Sequence, residues 1–316
     1  MQKKMYQVLF GLLFALFAWP ALAQEKFPSR PIEFIVPWGP GGGSDQTARM
    51  LATLLEAELK VSLPVVNVPG GTGNTGMTKL ISAPADGHSI AILAWDSFAT
   101  LATQSPKWGM DDILPLAIVI QLPSGLYVAG DRYADWKAVE AAAKKQPLKV
   151  AISGFGSPDD ITVNYMISRG LKLNAVPFAK PGERYSALLG GHVDLLYSPT
   201  GNIVQMVESK QMRPVLLLSA ERLPDFPQVP TSRESGYDIT LPQRRAIIIK
   251  AGTDPKRVAV LAEALERAVS TPKYKAFLKD SYASPESWVG STDSLALMRK
   301  DLEEMRAIVK SMPKRN

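Results

Sequence analysis

Two glycine-rich turns constrain this chain more than any other feature. Trp38-Gly39-Pro40-Gly41-Gly42-Gly43-Ser44-Asp45 follows the apolar run Ile32-Glu33-Phe34-Ile35-Val36, and Pro69-Gly70-Gly71-Thr72-Gly73-Asn74-Thr75-Gly76 follows Val65-Val66-Asn67-Val68. The first turn runs into a helix read from Ala48 to Leu59, where Met50, Leu51, Leu54, Leu55 and Leu59 recur at helical spacing. A short helix follows the second turn and ends at Pro84-Ala85-Asp86-Gly87, before a third apolar run, Ser89 to Ala94. Strand, glycine turn, helix, strand is the signature of an α/β fold with a parallel sheet.

Such turns seat negative charge. The first N–H groups of a helix have no partner within it, and the helix dipole leaves partial positive charge there. Glycine adopts positive φ and lets a ligand approach the backbone closely. With Ser44 or Asp45 as cap, the first turn is an anion seat or, on its bland reading, an ordinary capped turn. Two such turns at the carboxyl ends of neighbouring strands favour the seat, with the small hydroxyls of Ser44, Thr72 and Thr75 gripping a carboxylate. Phosphoryl transfer fits poorly, because Met77 stands where a phosphate-binding loop needs lysine. Gly71 to Gly76 also spells the dinucleotide fingerprint, and Asp96 closes the next apolar run where a ribose ligand would sit. Against it, the following helix is cut short at Pro84, and the earlier glycine turn has no role in that motif. Asp96 then reads as a polar residue at a strand end.

The N-terminus speaks for export. Lys3 and Lys4 precede an apolar core from Val8 to Trp19, and Ala21-Leu22-Ala23 is a cleavage site before Gln24, so residues 1–23 are expected to be a signal peptide. An exported chain meets no ordinary NAD pool. Without cysteine there is no disulfide, thiolate catalysis or Cys-ligated metal. The two histidines, His88 and His192, lie far apart and supply little for a zinc site or a Ser-His-Asp triad. Losing Lys3 and Lys4 with a leader that holds no acid leaves +4 of the formal +6. The basic residues are dispersed, so no nucleic-acid surface is expected.

The rest of the mature chain repeats the α/β pattern. Strands are expected at 114–121, 126–129, 149–153, 175–178, 193–197, 215–219 and 246–250, with helices at 136–145, 160–168, 187–189, 203–209, 255–269 and 292–310. A third glycine turn, Gly154-Phe155-Gly156-Ser157, separates a strand from a helix. Pro123-Ser124-Gly125 looks like a crossing between units, and Leu223 to Pro230 like a proline-rich connector. The expected division is lobe 1 at 24–123 plus 222–316 and lobe 2 at 124–221.

These residues together resemble a known family. Phe27-Pro28-Ser29-Arg30-Pro31-Ile32, Val36 to Asp45 with Ala48-Arg49, Asn67 to Gly76, Ala85-Asp86-Gly87-His88-Ser89-Ile90, Leu189-Gly190-Gly191-His192-Val193-Asp194 and Phe226 to Tyr237 occur in the order seen in the tripartite tricarboxylate transporter receptors, or Bug family. The resemblance implies a two-lobed periplasmic binding protein, type II-like, each lobe a central β-sheet flanked by helices. It implies a small carboxylate ligand, no cofactor or metal, no catalysis, and delivery to a membrane permease of two subunits; a sensor kinase is a further possible partner. Carried over, the ligand seat is Pro40, Gly41, Gly42, Ser44 and Asp45 with Gly71, Thr72, Gly73 and Asn74. Trp38, Ser97, Gly154, Ser157, Thr200 and Arg244, near strand ends, complete the candidates. The chain departs from the family at Pro158-Asp159-Asp160, at Phe178-Ala179-Lys180-Pro181-Gly182, and at Gln243-Arg244-Arg245-Ala246, where an aromatic W-x-G is common. Arg244 or Arg245 faces a second carboxylate as a bidentate partner, or the two are a solvated surface pair. An exported NAD-type or hydrolytic enzyme is the alternative.

Overall fold

The computed structural model describes residues 26–178 and 180–311; the expected signal peptide lies outside them. Two sheets organise the chain. The first has the order β11-β4-β10-β3-β1-β2, from β1 (Glu33–Val36), β2 (Val65–Asn67), β3 (Ser89–Ala94), β4 (Ile113–Leu122), β10 (Gln243–Lys250) and β11 (Val289–Gly290). The second has the order β7-β6-β8-β5-β9, from β5 (Ser124–Ala129), β6 (Leu148–Ile152), β7 (Leu173–Pro177), β8 (Leu195–Pro199) and β9 (Met212–Leu217). β1 pairs in parallel with β2 and β3, and β6 with β7 and β8. In each sheet a strand beside a crossover runs antiparallel to both its neighbours, β10 between β3 and β4 and β5 between β8 and β9, and β11 also pairs antiparallel with β4 at the edge of the first sheet.

The sheets are covered on both faces because their strands are apolar on both. Phe34 and Val36 enter one core cluster with Leu51, Leu55 and Ile92, while Ile35 between them enters another with Met77, Leu93 and Met298. Ile247 and Ile249 alternate with Ala246 and Ile248 in the same way. That two-residue period is what a doubly covered sheet requires. Each buried Ile or Leu side chain contributes about 1.5–3 kcal/mol. The helices of the first lobe are α1 (Gly43–Leu59), α2 (Asn74–Ser82), α3 (Asp96–Thr103), α8 (Pro255–Ser270), α9 (Pro272–Asp280) and α10 (Ser291–Ser311). Those of the second are α4 (Trp136–Lys145), α5 (Pro158–Ser168), α6 (Pro181–Leu189) and α7 (Val204–Glu208).

The chain leaves the first sheet at Leu122 and enters the second at Ser124. We place the return later than position 222, on three contacts. Thr231 bridges Leu217 beside β9, the Tyr237 hydroxyl donates to Glu140 Oε1 at 2.8 Å, and the Tyr237 ring meets Trp136 edge-on at 5.8 Å. Residues 226–239 therefore pack on the second lobe, and we place the division near Pro242. The connector is held there by buried Phe226, Val229, Tyr237 and Ile239, a stretch whose prolines hide any periodicity.

Candidate functional site

The carboxyl ends of β1, β3, β6 and β8 and the amino end of β10 face one another across the lobes. Between them lies a cavity of about 70 Å³ lined by residues of both. One water needs roughly 10–15 Å³ on this measure, so the cavity has room for a small polar solute.

α1 supplies the first wall. Gly41, at φ +80°, turns the chain back so that Gly42, Gly43 and Ser44 present the open end of the helix to the cavity. Asp45 holds this loop without lining the cavity. Its carboxylate accepts from Gly41 N, Asn67 Nδ2 and Arg49 Nε, each at 3.0 Å, and Asn67 also donates to Trp38 O at 2.9 Å. Burial works to raise the Asp45 carboxyl, but the bonds from Arg49, Gly41 and Asn67 outweigh it and hold the group below its usual range.

The second glycine turn does not share this seat. Gly71–Gly73 forms a tight turn behind the wall, with Thr72 left-handed at φ 52°. Gly73, at φ +90°, leaves room for Trp38 and Ser97; a Cβ there would lie 3.1 Å from Trp38 Cζ2 and 3.2 Å from Ser97 Oγ. Asn74 Oδ1 accepts from Trp108 Nε1 at 2.7 Å. The turn supports the wall, and Thr72 meets lobe 2 near Gly154, where a Cβ would approach its Oγ1 to 3.2 Å.

Of the residues expected at the site, Trp38, Gly42 and Ser44 line the cavity. Pro40 and Gly41 are exposed beside it. Ser157 caps α5 by accepting from Asp160 N, and Thr200 is tied to Tyr127 and to Pro123 O at the crossing. Arg244 is a correction. It points off the cavity, donating to Gln121 Oε1 at 2.7 Å and to the Asp301 carboxylate, with its guanidinium 5.7 Å from the centre of the Trp95 ring. Strand alternation puts Gln243 and Arg245 on the other face, and both line the cavity.

Four charged side chains meet in the cavity: Asp96, Asp159, Arg184 and Arg245. Asp159, in the first turn of α5, accepts from Ser153 N at 2.6 Å, Ser153 Oγ at 3.0 Å and Arg184 Nη1 at 3.2 Å. Arg184, in the first turn of α6, is only 6% exposed, and its Nε has no partner. Arg245 donates to Thr47 Oγ1 at 3.2 Å and, across the lobes, to Asn202 Oδ1 at 2.8 Å. Burial lowers the Arg245 guanidinium to about 10, which leaves it charged at neutral pH. Asp96 touches solvent through the cavity and is otherwise enclosed. Burial pushes its carboxyl up to about 6; Asp159 adds to the shift, and Arg184 and Arg245 pull against it.

The sequence pointed to neither Arg184 nor Asn202. Pro181 is the signal that was present: proline at the first position sets the start of α6 and so the place of Arg184. His88 is buried against Phe27, its ring 5.0 Å away and edge-on, and does not line the cavity. A wider groove of about 930 Å³ lies against the crossings, with Leu122, Pro123, Leu223, Leu278 and Tyr282 as its apolar wall.

A profile of the tripartite tricarboxylate transporter family receptors (TctC) matches residues 47–313. This chain belongs to that family. Protein BugT of Bordetella pertussis is 29% identical over 79% of each chain. A TctC solute-binding protein from Polaromonas, solved without ligand, is 27% identical over 90% of this chain and all of that one, with a TM-score of 0.67. MatC from Rhodopseudomonas palustris, solved with bound malate, shares the fold at 23% identity and a TM-score of 0.81, over 90% of this chain and all of that one. The two-lobed α/β architecture is thus that of the TctC receptors.

Proposed function

We propose that the chain is a periplasmic receptor that closes two lobes over a small organic carboxylate and passes it unchanged to a membrane permease of two subunits. The observation that carries this is the cavity itself. The open amides of α1 and two buried guanidiniums face a space with room for a small solute between the carboxyl edges of two sheets. Buried donors without partners are costly unless a ligand or water takes their bonds. The family supports the reading, and the malate in MatC is a ligand of the expected class. Contacts with both lobes favour the closed state, so the acid's differential affinity for that state drives closure.

Catalysis is not part of the proposal. Neither His88 nor His192 lines the cavity, so Ser44 and Ser153 have no imidazole base there. The NAD-type alternative loses its main support, because the Gly71–Gly76 fingerprint lies behind the cavity wall. Among the described residues no helix is long and apolar enough to cross a membrane.

A thermal-shift screen of the mature protein tests the reading. A raised midpoint with one or more organic acids, and none with NAD or nucleotides, is expected. Stabilisation by nucleotides alone would overturn it.

A further inference from the structure

The cavity holds two carboxylates and two guanidiniums, and their bonding is unequal. Asp159 is satisfied by Ser153 and Arg184. Arg245 is tied to Thr47 and Asn202. Asp96 has no side-chain partner among the described residues; its own backbone N–H is the one group bonded to its carboxylate. Arg184 keeps a buried Nε without a partner. Asp96 and Arg184 both line this small space, so it presents an unpartnered carboxylate beside a guanidinium of opposite charge.

We propose that the acid this receptor captures is an amino acid, its carboxylate held by Arg184 and the open end of α1, its ammonium by Asp96. The proposal rests on the receptor reading above and names the substrate class of the same site.

Charge balance argues for it. With Asp96 ionised, the four cavity side chains sum to zero, so a zwitterion of net zero charge leaves the balance intact. A dicarboxylate would bring two more negative charges beside Asp96 and Asp159, with two guanidiniums already partly engaged. The groups that face Asp96 are Asp159 from α5, Arg184 from α6, Arg245 from β10 and Tyr197 from β8. None supplies a hydrogen bond to its carboxylate, so beyond its own backbone N–H and water the ligand is the remaining source of a donor. An ammonium supplies three. Ala94, Pro199, Phe178 and Trp38 give the remaining wall an apolar surface for the carbon skeleton.

Matched pairs test the idea. Isothermal titration of the mature protein at pH 7.5 compares L-alanine with propionate, L-aspartate with succinate and L-glutamate with glutarate. In the pair that binds, the amino member is expected to bind at least tenfold tighter, and Asp96→Asn, checked for folding by circular dichroism, is expected to cut that ratio below threefold. A merely structural role for Asp96 would weaken both members alike and leave the ratio standing, which would overturn the assignment. Deamino acids that bind as tightly as their amino partners would overturn the inference while leaving the receptor reading in place. Failure of every acid in a wider panel would remove both.

Discussion

Gly43→Ala isolates closure from folding. Gly43 is the first residue of α1 and lies outside the positive-φ region, so alanine is tolerated by the helix and slightly favoured. The new Cβ would land on Asn202 Oδ1 and Arg245 Nη2. Those two atoms are hydrogen-bonded to each other at 2.8 Å, one from each lobe. Making room means breaking that bond in the closed state alone. A hydrogen bond from a charged donor is worth about 1.5–3 kcal/mol, and 1.4 kcal/mol is tenfold in affinity, so the ligand should bind about 10- to 150-fold more weakly. The unliganded melting temperature should stay within about 2 °C, since the separate lobes lose nothing. Gly42→Ala provides a graded comparison: its Cβ would sit 3.3 Å from Pro181 Cγ, a contact that a small shift relieves, and should cost less. Titration calorimetry with the stabilising acid measures both. Affinity within threefold of wild type for Gly43→Ala would refute the reasoning, because the closed lobes cannot then meet as described.

Other outcomes follow from neighbouring contacts. Arg245→Met should abolish ligand stabilisation, whereas Arg244→Met should leave affinity within threefold and lower the unfolding free energy by about 3 kcal/mol, because Asp301 then stays buried with Trp95 Nε1 as its remaining partner; chemical denaturation and titration separate the two. Asp96 binds its proton more tightly when folded, so its contribution to stability is full below the unfolded value of 3.8 and lost as pH rises through about 6. The melting temperature of Asp96→Asn, followed over that window, should therefore lack the decline that wild type shows. Asp45 has the opposite sign: its folded value is depressed, so its contribution is present above 3.8 and lost as pH falls below it. Asp45→Ala should cost about 2 kcal/mol at neutral pH and raise amide exchange at Gly41, whose N–H it accepts.

The sequence showed the glycine turns, and the structure shows why. Glycine, cap residues and the preceding strand lie within a few positions of each other, so the signal is local. Periodicity starts α1 late, at Ala48, because Gly43, Ser44 and Asp45 carry no apolar face. α3 went unread. The apolar run of β3 continues into Trp95, Phe98 and Leu101, and the break falls at Asp96 with no glycine to mark it. That is why Asp96 looked like a polar strand end when it is the first residue of a helix on the cavity. The sequence marks α6 only over 187–189, which leaves Arg184 outside it. The choice between Arg244 and Arg245 was not available locally. Adjacent strand residues face opposite sides, and which side is the cleft depends on the second lobe arriving over β10. The second glycine turn misled for a related reason: its geometry is that of a seat, but Trp38 and Ser97 occupy the space in front of it.

Where the solute sits is the decisive measurement. A crystal structure of the mature protein with its stabilising acid should show a carboxylate between Gly42, Gly43 and Ser44 on one side and Arg184 on the other, chemically intact. An acid found in the apolar groove at the crossings, with the cavity holding only water, would contradict it.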